Sequence, residues 1–171
     1  MKKFLFLFLM AFLILTPSGL CNPSLTALDK MINEAAFQPI ECFTSIDIKV
    51  VGEDVNKIGL TKEYLTDYLR LAVKREIPTI RYQPDIVDFD KWETDAQKWG
   101  NISVTVWTVG SDYPIAYYVS IEAGNWKSSA IHKDAYLGYG SKNNVPETIK
   151  KNIAELVQRF AIVFYKARKE I

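Results

Sequence analysis

Residues 146–166 read PETIKKNIAELVQRFAIVFYK, and the placing of their apolar side chains decides the fold. Ile149, Ile153, Leu156, Val157, Phe160, Val163 and Phe164, continued by Ala167, recur at steps of three and four, the spacing that lines one face of an α-helix. Asn144 is placed to cap this helix and Glu147 to complete a capping box, while Pro146 falls in the first turn, where a missing N–H costs nothing. Eight apolar side chains at roughly 1.5–3 kcal/mol each give a gross burial term on the order of 10–20 kcal/mol, an upper bound because unfolded chains are already partly compact. A face of that size has to be covered.

The cover lies upstream. Ile102, Val104 and Val106 alternate with Ser103, Thr105 and Trp107, and Ile115, Tyr117, Val119, Ile121 and Ala123 alternate with Tyr118, Ser120 and Glu122; the turn 109–114 between them makes the pair a hairpin. Residues 126–139 add one more strand, its broken alternation pointing to a bulge. Nearer the start, Ile40, Cys42, Thr44, Ile46, Ile48 and Val50 point one way and Glu41, Phe43, Ser45, Asp47 and Lys49 the other. A second helix opens at Thr61, its N-cap, with Leu60 set to staple against Leu65 and with Tyr68, Leu69, Ala72 and Val73 on its apolar face. Pro78 ends it, and the short strand 77–82 that follows belongs at a sheet edge. Residues 85–99 read as an acidic loop with one helical turn. Residues 22–39 read as an arm or short helix with Leu25, Leu28, Met31 and Ile32 as its apolar stripe. Few helices and strands that are mostly neighbours in sequence predict an α+β domain: an antiparallel sheet of four to five strands with two helices on one face.

Met1-Lys2-Lys3, the unbroken apolar run from Phe4 to Leu15 and the small or turn-forming residues after it follow the order of a secretory signal peptide. The run is shorter than the roughly 20 residues that span a membrane. The expected division is therefore a leader at 1–21, an N-terminal arm at 22–39 and one α+β domain at 40–171, the product being periplasmic or secreted. Membrane contact would follow only from a retained leader or a lipidated Cys21, and Leu20 before Cys21 departs from the small residue that lipoprotein signals carry there. Losing Lys2 and Lys3 with the leader takes 21 basic residues to 19 against 20 acidic ones, which argues against a nucleic-acid partner. Cys21 and Cys42 are the only cysteines. A bridge between them is open if Cys21 is retained, and otherwise Cys42 reads as a small buried apolar side chain.

Gly59-Leu60-Thr61, preceded by the alternating strand and followed by Ile77-Pro78, resembles a group of exported bacterial α+β domains, and the likeness runs from Ile40 to Lys166. In element order the chain is also similar, more loosely, to the N-terminal domain of TolB and to LptE-type envelope proteins. The resemblance implies a role in binding or assembly in the envelope, with an envelope protein or glycan as partner, no cofactor and no assigned site residues.

The residues themselves offer little chemistry. His132 is the single histidine, with Ser128, Ser129 and Asp134 near it but in no spacing that makes a triad. Glu122 and Asp134 are the pair to weigh for acid–base work, and with His132 they make the alternative reading, a hydrolase of an envelope glycan or peptide. Asp85, Asp88, Asp90, Glu93 and Asp95 lack the order and the glycine of an EF-hand loop, so no metal site is expected. What remains is aromatic. If the odd-numbered face of 115–123 is buried, Tyr118 stands on the open face of the sheet, and Trp107 and Phe43 are placed to join it. Aromatic side chains on an open sheet mark a contact surface, unless the N-terminal arm or the Trp92–Trp99 segment covers them.

Overall fold

The computed structural model describes residues 27–52, 54–110 and 114–171. The expected leader, Cys21, Leu25 and the centre of the 109–114 turn lie outside them. In chain order the elements are α1 (Ala27–Phe37), β1 (Cys42–Val51), α2 (Asp54–Lys57), α3 (Lys62–Glu76), β2 (Arg81–Tyr82), two 3₁₀ turns (Pro84–Ile86 and Phe89–Lys91), α4 (Trp92–Asp95), β3 (Trp99–Val109), β4 (Ile115–Asn125), β5 (Ser129–Gly140) and α5 (Val145–Arg168). The strands form one sheet in the order β2-β1-β3-β4-β5. Helix α3 lies over β1, α5 lies over β4 and β5, and α1 packs on α5. The class is α+β, with a five-stranded sheet carrying its long helices on one face.

The sheet is antiparallel from β3 to β5, as the hairpin pattern required, whereas β1 runs parallel to both β2 and β3. The reason lies in the connections. A tight turn reverses the chain between β3 and β4, but β1 is followed by α3, and a crossover that carries a helix returns the chain in the same direction. Pro78 precedes a strand of two residues at the sheet edge, where a missing N–H is tolerated.

The face of α5 is as the periodicity predicts: Ile149, Ile153, Leu156, Val157, Phe160, Phe164 and Ala167 are buried and Val163 is half-buried. Its start differs. Asn144 makes no side-chain capping bond, and Glu147 is ion-paired with Lys150 instead of reaching back. The first turn hangs on the carbonyl of Ser141, which accepts from the backbone N–H groups of Asn144 and Val145 at 3.0 Å each. In α3 the expected cap is present: the Thr61 hydroxyl accepts from the Tyr64 N–H at 3.2 Å, and Leu60 and Leu65 are both buried.

The stripe expected on the arm is not what docks α1. Leu28, Met31 and Ile32 are exposed, and the helix is held by its C-terminal end, where Ala36 and Phe37 are buried. The Phe37 ring packs against Phe160 and Phe164 at centroid distances of 5.6 and 6.0 Å. Arg168, in the last turn of α5, donates from Nη1 to the carbonyls of Phe37, Gln38 and Ile40 at 3.4, 3.1 and 2.8 Å. The Asn125 side chain donates to the Ala36 carbonyl at 2.8 Å and accepts from the Ser128 N–H. The chain between α1 and β1 is thus clamped from two elements far along the sequence.

Candidate functional site

The open face of the sheet is built by the alternate residues that the helices do not cover. Strand register lines these residues up in rows. Val51 pairs with Trp107, Trp107 with Tyr118, and Tyr118 with Leu137, so four strands contribute to one row. Val109, Ala116 and Tyr139 make the next. Trp107 is 47% exposed, Leu137 81% and Tyr139 76%, while Tyr118, flanked on both sides, is half-buried. Directly opposed side chains on neighbouring strands stand about 5 Å apart, so the two rows form one continuous apolar patch.

Moving along the strands, the face changes character. Asp47, Ser103, Glu122 and Lys133 form a polar row, closed by a Glu122–Lys133 ion pair at 3.1 Å. At the far end three indoles gather, Trp92 against Trp99 and Trp126 at 6.2 and 5.9 Å. They lie over Cys42 and Thr44: Trp99 pairs with Cys42, and the Trp126 indole N–H donates to the Thr44 hydroxyl at 2.7 Å. The Trp92–Trp99 segment therefore does cover the open face, but at the end away from Trp107. Buried there, the Cys42 thiol has its pKa pushed up, mainly by desolvation and further by Glu41.

Of the three aromatics expected on this surface, Trp107 and Tyr118 stand on it as neighbours. Phe43 does not. It is 1% exposed and belongs to the core on the helix side, its ring 6.3 Å from Phe160 and 5.8 Å from Phe164. The cause is a β-bulge: Phe43 pairs with Gly100 and Ser45 with Asn101, so Thr44 is an extra residue and the alternation shifts by one at that point. Gly100 makes the shift possible, since a Cβ there would stand 2.5 Å from Phe43 Cδ1. Leu137, Tyr139, Val51 and Val109 were not foreseen as surface members. The alternation of 126–139 is broken in the sequence, and which row each of these residues joins depends on the strand register.

The acid–base candidates are separated by the sheet. Glu122 points to the open face and is paired with Lys133, whereas Asp134 points to the helix side and takes an ion pair from Arg159 at 3.2 Å and the Ala135 N–H at 2.8 Å. The two carboxylates cannot act on one bond. His132 shares a cleft with Asp134 between α1, β5 and α5, lined also by Asp29, Asn33 and Lys133 and holding no hydroxyl or thiol nucleophile among its lining residues. The His132 ring packs on Phe160 at 5.4 Å with Nε2 buried and unbonded, and burial lowers its pKa against the raising effect of Asp134. In the acidic segment, Asp88 is paired with Lys91 and Asp95 with Lys98, each at 3.2 Å.

No protein-family model matches the chain, and no curated protein matches it. Among solved structures it is similar to the PelC dodecamer from Paraburkholderia phytofirmans, at 10% identity and a TM-score of 0.47 over 70% of this chain and 86% of that one. A variant of the same protein gives 12% identity and a TM-score of 0.47 over 72% and 89%.

Proposed function

We propose that this chain is an exported, non-enzymatic binding protein of the bacterial envelope, and that its contact surface is the apolar end of the open sheet face. One observation carries the reading: the register brings Val51, Trp107, Tyr118 and Leu137 into a single cross-strand row that no element among the described residues covers. Exposed apolar surface of this extent on a folded domain is stabilised by being covered. Its composition favours a protein partner over a sugar. Trp107, Tyr118 and Tyr139 bring large rings with polar handles, as interface cores do, while the aliphatic Val51, Val109 and Leu137 interrupt the ring stacking and hydrogen bonding that a glycan needs. Export is supported by the basic start and short apolar run of the leader.

The test is site-specific photocrosslinking in intact cells from positions 107, 118 and 137, with position 151 on the far side of α5 as control. The expected result is one crosslinked protein shared by the three sheet positions and missing from the control. Trp107→Ala and Leu137→Asp should then each weaken binding to that purified partner by about tenfold or more. Folded protein that gives no shared crosslink from the three positions, or variants that bind the partner as well as the parent does, would overturn the proposal.

A further inference from the structure

On the helix side, at the β2 edge of the sheet, α3 and the segment 78–83 form a groove of about 490 Å³. Its floor is hydrocarbon: Phe43, Ile46 and Val73 are buried there and Ile80 is half-buried. Leu71 forms the lip and is 67% exposed on an otherwise charged helix face. Three cations stand around the mouth, Arg70, Lys74 and Arg81. Arg70 is held in place, with Nε donating to the Ile46 carbonyl at 3.4 Å, Nη2 donating to the Tyr82 hydroxyl at 3.2 Å and the guanidinium lying 5.1 Å from the Tyr82 ring centroid. Its ion pair with Asp47 is long, 3.8 Å, and exposed. Among the described residues Lys74 and Arg81 make no ion pair, and Glu76 is paired with Arg75.

We propose that this groove binds an amphipathic anion, a hydrocarbon chain ending in a carboxylate. The volume lies within the range of small-molecule sites. The apolar floor favours a hydrocarbon chain, which loses nothing by leaving water, over peptide backbone, whose amides need hydrogen-bond partners there. The mouth selects the head group. Two cations without an ion pair among the described residues, and a fixed guanidinium, meet a carboxylate with charge-assisted hydrogen bonds.

The experiment is a titration of ¹⁵N-labelled protein with dodecanoate below its micelle concentration, alongside dodecyltrimethylammonium and acetate. Dodecanoate is expected to saturate with amide shifts centred on Leu71, Ile80 and Tyr82. The Lys74→Gln/Arg81→Gln double variant should bind about tenfold more weakly, and Lys151→Gln, exposed on α5, should leave binding unchanged. Both substituted side chains are exposed, so the circular dichroism of the double variant should match the parent; if it does not, Leu71→Glu on the lip replaces it and should weaken binding in the same way. The cationic probe binding as tightly as dodecanoate would overturn the proposal, as would acetate binding equally well, shifts centred on Trp107 and Leu137, or an acidic peptide outcompeting the fatty acid.

Discussion

Replacing Phe43 and Trp107 by alanine in turn separates core from surface in a single measurement. Phe43 is buried between Phe160 and Phe164, and beneath it lies Gly100, which has no side chain to move into the space the ring would leave. A Phe→Ala change in a core costs about 3–5 kcal/mol, and a site that cannot collapse falls toward the upper end. Against a total stability of about 5–15 kcal/mol, that is a large share. With a urea slope of about 2 kcal/mol/M, a loss of 4 kcal/mol moves the midpoint down by about 2 M. Trp107 leaves nearly half its surface in water and leans on its cross-strand row and on Gly52, so Trp107→Ala should cost less than about 1 kcal/mol, a shift of about 0.5 M or less. Urea unfolding followed by far-ultraviolet circular dichroism reads both. Equal midpoint shifts for the two variants would refute the reasoning, because they would place Trp107 in the core, and a near-zero shift for Phe43→Ala would refute the bulge that turns its ring inward.

Gly100→Ala should destabilise by about 1–3 kcal/mol through overpacking against the Phe43 ring, and Phe43→Leu should recover part of the loss in a double-mutant cycle; additive costs would show that the two sites are independent. Arg168→Ala should cost about 2 kcal/mol and speed amide hydrogen exchange at Ala36 and Phe37 more than in β4, whereas uniform loss of protection would mean that the clamp is not local. Burial holds the His132 pKa below its ordinary 6.5, so between the folded and unfolded values the unfolded chain binds more protons and stability rises with pH. The contribution is complete above about pH 6.5 and is lost as pH falls toward the folded value; the melting temperature of the parent should therefore drop more between pH 7.5 and 5 than that of His132→Phe, and equal drops would count against a desolvated ring.

Much of this architecture was legible because its signals are local. The α5 face from Ile149 to Ala167, the Thr61 cap and the alternation on either side of the 109–114 turn each depend on residues within a few positions of one another. The failures share a different cause. Phe43 changes face because of one extra residue in β1, Thr44, that is defined only against Gly100 and Asn101, 56 and 57 positions away in sequence. Leu137 joins Trp107 and Tyr118 only through the pairing of three strands, and the parallel setting of β1 depends on where the crossover lands. Asn144 and Glu147 matched a capping box by type, yet Lys150 and the Ser141 carbonyl offered partners that the motif does not count. For α1, an apolar stripe was visible, but the choice of which end docks was made by Phe37 fitting between two rings of α5.

The Arg168 clamp has a bearing on how this chain reaches its folded state. Its hydrogen bonds join residues 128 to 131 positions apart, and the rings that receive Phe37 also lie on the last helix. A polypeptide delivered N-terminus first, whether from a ribosome or through a translocation pore, therefore cannot seat α1 or close the core under β1 until α5 has emerged. Contacts of such long range make folding slow, since loop closure must precede the gain. Until that moment α1 has no docking site, and a holding chaperone has its longest opportunity to act on it.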